Sequence, residues 1–289
     1  MHQIENNYLR IKAREYGGEL TSLFDKTNNI EHLWQADPDV WGWHAPVLFP
    51  VVGRCLHDEI IVNGQKYRME KHGFARKSEF SLLELTDSKI VFSLKSTLAL
   101  LRVYPFDFEF LIRYHLNQNE LVVSYEVINR DNKPIFFSLG GHPAFAVPFN
   151  EAEGYSDYYL EFEQVEQASR SYIDAEGYFD GRADASLANT NILQLNNHLF
   201  KDDALIFKDL KSRKISIKGR GNPRCLSVSF NGFNCLGLWA KVNAPYVCIE
   251  PWLGCADTAG QPVEFSSKEG IIKLPAKEHF TVSFAVQVS

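Results

Sequence analysis

The 289-residue sequence contains no C-x-x-C pair, no H-E-x-x-H or H-x-H run, and no basic surplus. Each absence removes a class of function. Acidic residues outnumber basic ones 36 to 30, for a net charge of −6. There is therefore no excess of cations to displace counterions from a phosphate backbone, and nucleic acid is not an expected partner. The two signs are interspersed along the chain, which suits solubility better than long-range steering. No stretch approaches the roughly 20 apolar residues of a membrane-spanning helix, and the opening MHQIENNYLRIKA lacks the apolar core of a secretory leader. No membrane partner is expected, and the predicted compartment is the cytoplasm. The five cysteines (Cys55, Cys225, Cys235, Cys248 and Cys255) form an odd set. In a chain without an export signal they read as reduced thiols. With no local spacing of His and Cys ligands, no metal site and no cofactor is predicted.

Long helices are also missing. Turn clusters recur at Tyr16–Gly18, Lys26–Asn29, Asn63–Gln65, Asn129–Lys133, Gly219–Pro223 and Asn231–Asn234. Between them the apolar rhythm has period two. In Phe108–Leu116, Phe108, Phe110, Ile112, Tyr114 and Leu116 share one face, and Glu109, Arg113 and His115 the other. Leu121–Ile128, Lys214–Lys218 and Phe280–Val288 repeat the alternation. Alternation of this kind marks antiparallel sheets with one buried face. Many short strands with such punctuation predict an all-β fold, a large antiparallel β-sandwich. Short helices fit only near Val165–Ser169 and Pro38–Trp43. No repeat or linker interrupts the chain, so one domain over residues 1–289 is expected.

The candidate chemistry lies where the rhythm breaks. His115 sits inside a clean strand and reads as a solvated structural residue. His142 in GGHPAF and His72 in KHGFAR stand in punctuated settings, and a histidine is the side chain that exchanges protons near neutrality. Arg54 closes PVLFPVVGR, Asp202 and Asp203 precede an apolar run in LFKDDALIF, and Glu278 leads into the last strand. Glu250 ends the apolar run YVCI ahead of Pro251-Trp252. A buried carboxylate is costly unless paired, so Glu250 calls for a partner, with Arg54 or Arg76 the arginines at hand.

The ordered set PVLFPVVGR, HGFAR, GGHPAF, DDALIF, EPWLG followed by Asp257, and a closing K-x-G-I-x-x-L with Glu278 and Phe280 resembles the aldose 1-epimerase (galactose mutarotase-like) family. The likeness is to its LacX-like branch and runs from about Tyr8 to Val288. The resemblance implies a large β-sandwich and the interconversion of α and β anomers of a free aldose by acid–base ring opening and closure, with no cofactor. It implies His142 as catalytic acid and Glu278 as catalytic base, in LPAKEHF where the family has Pro-Gly for Ala276-Lys277. It further implies Arg54 and His72 as sugar-binding residues, and Asp202 (or, one step along, Asp203) as the aspartate that grips hydroxyls. Glu250 and Trp252 match a strand bordering the site. Arg54, Arg76, Lys71 and Lys77 keep a hexose-6-phosphate mutarotase open as an alternative, because a phosphate wants converging cations. A non-catalytic carbohydrate-binding protein of the same fold is the other alternative.

Overall fold

The computed structural model describes all 289 residues. Its centre is a long antiparallel sheet. The strand order begins Val47–Leu48, Leu139–Gly141, Tyr246–Leu253, Cys235–Trp239, Leu205–Phe207, Tyr158–Ile173 and continues Lys214–Gly219, Asn222–Ser229, His279–Val288. It ends with Glu120–Asn129, Phe108–Asn117, Lys89–Lys95 and Ser81–Leu85. A four-stranded sheet at the N-terminus, the hairpin Glu59–Val62 with Gln65–Arg68, and a pair joining Ile135–Phe137 to Ile272–Leu274 complete the β structure.

The alternating sequence explains the layers. Along Glu120–Asn129 every second residue is buried, and Phe108–Asn117 pairs with it in unbroken register from Phe108↔Asn129 to Asn117↔Glu120. His115 is exposed in this strand, and Arg113 pairs across to Glu126. Glu109 departs from the simple pattern. It is buried, and both of its oxygens are taken, by the Ser93 hydroxyl at 2.8 Å and by Arg130.

The two ends of the strand order face each other, which makes the sandwich. Phe49, beside the first strand, stacks on Phe110 near the last, with ring centroids 4.6 Å apart. Gly141 lies against the Tyr125 hydroxyl and the Phe284 ring. A single cluster of 71 buried apolar residues runs between these layers.

The short helices expected near Val165–Ser169 and Pro38–Trp43 are not present. Val165–Ser169 lies within the 16-residue strand Tyr158–Ile173, held by its hairpin partner Phe179–Gln194. Residues 38–40 make a turn that Asp37 opens, its carboxylate accepting from the Asp39 amide at 3.0 Å. The α-helical stretch is Leu98–Leu101, capped by Thr97. No helix is long and apolar enough to cross a membrane.

Candidate active site

At the end of the sheet where Tyr246–Leu253 meets Leu139–Gly141, a cavity of about 290 Å³ opens to the surface. Residues from seven chain segments line it, including His72, His142, Asp203, Glu250 and Trp252.

His142 is fixed by its neighbours in the chain. Its amide donates to the Pro46 carbonyl at 3.1 Å, and Ile249 donates to the Pro143 carbonyl at 3.2 Å. The double glycine before it is needed for space, and neither residue adopts a left-handed backbone. A Cβ on Gly140 would stand 2.5 Å from the Trp252 ring and 2.9 Å from the Pro251 carbonyl oxygen. The imidazole is then walled by aromatics. Trp41 stacks on it at 5.1 Å and 27°, while Trp239 and His72 present edges at 5.9 and 5.8 Å.

His72 occupies a left-handed conformation, φ 67°, beside Gly73 at φ 72°. Gly73 packs so tightly on Phe49 that a Cβ would come within 2.2 Å of the Phe49 carbonyl oxygen. The His72 amide donates to the Gly53 carbonyl at 2.8 Å, and the Gly53 amide donates back to Nδ1 at 3.2 Å. Because Nδ1 accepts, the neutral ring carries its proton on Nε2. Burial, with His142 next in importance, holds the His72 pKa well below the usual histidine value.

Glu250 stands on the strand Tyr246–Leu253, all eight residues of which are buried. Its Oε2 lies 3.2 Å from His142 Nε2. The approach is not aligned as a hydrogen bond, and Oε2 has no partner, nor does His142 Nδ1. Burial pushes the Glu250 carboxyl well above the usual carboxylate range. Burial likewise brings His142 down to about 3. Both shifts have the same cause, since burial disfavours the charged form of each group. The titratable side chain nearest this buried carboxyl is thus a histidine, in approach but without an aligned hydrogen bond. Neither Arg54 nor Arg76, the expected partners, bridges to it.

Trp252 is packed between two glycines, since a Cβ on Gly237 would lie 2.6 Å from its six-membered ring. Its indole N–H is buried, unpartnered and at the cavity wall. Phe145, in the same GGHPAF segment as His142, is fully buried and lines no part of this cavity.

Of the residues expected at the site, His72, His142, Glu250 and Trp252 line the cavity and Glu278 does not. Glu278 lies on an exposed turn whose backbone it serves. Its carbonyl accepts from the Asn129 amide at 2.9 Å, and Lys277 turns the chain at φ 64°. Five strands separate His279–Val288 from Tyr246–Leu253 in the sheet. Asp202 also turns away, its side chain half exposed and 3.9 Å from Arg170, whereas Asp203 faces the cavity. Arg54 is held in a two-pronged pair with Asp58, both contacts 2.7 Å, and it donates to the Glu176 carbonyl at 2.8 Å. The cations at the cavity are Lys71 and Arg76 instead. Trp41 and Trp239 were not singled out from the sequence. The pair of tryptophans in WGWHAP was the available signal, but nothing in the sequence aims Trp41 at His142.

The likeness read from the sequence extends over the chain. A profile of the aldose 1-epimerase family matches residues 1–273. The chain belongs to the aldose 1-epimerase family. It is 34% identical over 282 residues to the plasmid and chromosomal LacX proteins of Lactococcus lactis subsp. lactis, covering 94% of this chain and 94% of each relative. A galactose mutarotase related enzyme from Lactobacillus acidophilus superposes with TM-score 0.95 at 32% identity, covering 100% of this chain and 97% of that one. A galactose mutarotase-like protein from Lactobacillus casei ATCC 334 superposes with TM-score 0.94 at 29% identity over the whole of both chains.

Proposed function

We propose that the protein interconverts the α and β anomers of an aldose, with His142 and Glu250 as the proton-transferring pair. The observation that carries this reading is the 3.2 Å approach of His142 Nε2 and Glu250 Oε2 at the floor of a cavity, with no hydrogen bond satisfying the carboxylate oxygen. Anomer exchange needs one group to take the proton from the C1 hydroxyl and another to protonate the ring oxygen. The C1–O5 bond then breaks, the open aldehyde rotates about C1–C2, and the steps reverse on the other face. Each group therefore changes role within a turnover. The pair places two proton-exchanging groups side by side, which is what the reaction requires at its start and at its end.

The other lining groups fit a polyol. Asp203 accepts from hydroxyls, His72 Nε2 and the Trp252 indole N–H donate to them, and the Trp41 and Trp239 rings suit the C–H face of a pyranose. Decay of optical rotation in fresh α-D-glucose or α-D-galactose is expected to be accelerated by the wild type and not by a folded His142→Asn variant. Full activity in that variant would remove the proposal, and sugar binding without acceleration would leave a binding protein of the same fold.

A specific observation supports a phosphorylated substrate as the second reading. Lys71 and Arg76 both line the cavity, and the Arg76 Nε is buried without a partner while its Nη2 donates to the Lys71 carbonyl at 2.8 Å. Two cations at one wall can hold a dianion. Comparing kcat/KM for glucose and glucose 6-phosphate decides between them. A preference for the phosphate that Arg76→Ala abolishes selects the second reading.

A further inference from the structure

We infer that the floor of the cavity is also a binding site for a thiophilic divalent cation such as zinc, held by His142, Cys248 and Glu250. Cys248 and Glu250 are two apart on the strand Tyr246–Leu253 and so project from the same face, and His142 reaches them from a distant segment. One ligand atom from each, an imidazole nitrogen, the thiol sulfur and a carboxylate oxygen, all lie within 4.8 Å of one another. Bonds of about 2.0–2.3 Å place tetrahedral zinc donors roughly 3.3–3.8 Å apart, so any separation beyond that has about 1–1.5 Å to close. Local spacing motifs miss such a cluster because its third member is remote in sequence.

The chemistry of the donors selects the ion. Magnesium and calcium want shells of oxygen, and this site offers a carboxylate alongside nitrogen and sulfur. His142 and Glu250 line the cavity and Cys248 is buried beside them, so three protein ligands with a fourth position toward the cavity match the arrangement of zinc sites that keep an exchangeable ligand. A thiolate and a carboxylate also cancel the charge of a divalent ion, leaving a neutral unit in a buried place where net charge is costly. Binding transfers the Cys248 thiol proton, together with the carboxyl proton, to solvent, and no electron moves. Glu250 Oε2 gains the partner it lacks. An ion there occupies both His142 and Glu250 and so excludes them from proton transfer. The site itself stands on the coordination geometry alone and is independent of the reaction proposed above.

The test is titration of the purified protein with cobalt(II) chloride, followed by competition with zinc chloride. A near-ultraviolet sulfur-to-cobalt charge-transfer band at one ion per chain, bleached by zinc, is expected. Removing an outer-shell partner already costs about 10–100-fold in metal affinity, and Cys248→Ser, which removes a direct ligand, is expected to weaken binding at least that much. Cys255→Ser, at another buried thiol, should leave the band unchanged. Absence of the band in wild type, or its survival in Cys248→Ser, overturns the inference. X-ray absorption of the zinc-loaded wild type requires no variant to fold. One sulfur in the first shell supports the site, and a shell of nitrogen and oxygen alone overturns it.

Discussion

Two glutamates in this chain lie near the ends of apolar strands, and their surroundings could hardly differ more. Glu250 is 1% exposed at its side chain, on a strand with buried neighbours throughout, and His142 stands 3.2 Å away. Glu278 sits on an exposed turn, where its backbone completes hydrogen bonds and its side chain is open to water. The first environment raises the carboxyl pKa well above the usual carboxylate range by desolvation. The second leaves the side chain exposed. A carboxylate's usefulness as a proton carrier comes from where the chain buries it, and identical side chains separated by 28 positions of sequence are assigned opposite characters by packing.

The comparison can be broken most sharply by exchanging each carboxylate for its amide. General acid–base help contributes about 10²–10⁴-fold, so Glu250→Gln should lower kcat/KM for mutarotation by that range while Glu278→Gln stays within about twofold. Polarimetry reads both, and the reverse ranking would return the catalytic role to the exposed turn. The adjacent aspartates offer a second, smaller contrast. A hydrogen bond to a charged group is worth about 1.5–3 kcal/mol. Asp203→Asn should therefore raise KM at least about tenfold with kcat less affected, and Asp202→Asn should leave both near wild type.

Packing around the buried member is tested by Gly237→Ala. Its Cβ would stand 2.6 Å from the Trp252 ring, and overpacking of this kind costs about 1–3 kcal/mol, readable as a lower urea midpoint. Alanine at Gly64, where nothing lies within 4 Å, meets no such clash, and its cost comes only from φ 75°.

A last contrast lies in the pH dependence of stability. His142 has a folded pKa of about 3, below its unfolded value near 6.5. Between those values the unfolded chain binds more protons, so the contribution of His142 to stability is complete above about pH 6.5 and is lost as pH falls toward 3. His142→Asn should flatten that acid limb in denaturation measured from pH 7 to pH 4. A limb unchanged by the substitution would mean that other groups, His72 among them, set it.

The fold was legible because period-two alternation reports directly which face of a strand is buried. Phe108–Leu116, Leu121–Ile128 and Phe280–Val288 all lie in strands. The short helices were not legible, since a hairpin partner outweighs local propensity over Val165–Ser169. At the site, His72 and His142 stood out because glycine and proline punctuate their segments. Glu250 carried a correct signal, a carboxylate in an apolar run that requires a partner, but the identity of that partner depends on which strands lie side by side. The same limit explains why Lys71 and Arg76, and not Arg54, meet the cavity. Asp58, four residues after Arg54, captures its guanidinium locally.

By itself, the sequence determined the strand content, the absence of long apolar helices, the family likeness and the two histidines whose backbones are specially constrained. These follow from short-range patterning of apolar, glycine and proline residues. Only the tertiary structure decided which glutamate meets His142, which of two adjacent aspartates faces the cavity, and that a thiol joins the pair. Those depend on desolvation and on contacts between segments a hundred residues apart, and neither is encoded in the spacing of any one segment.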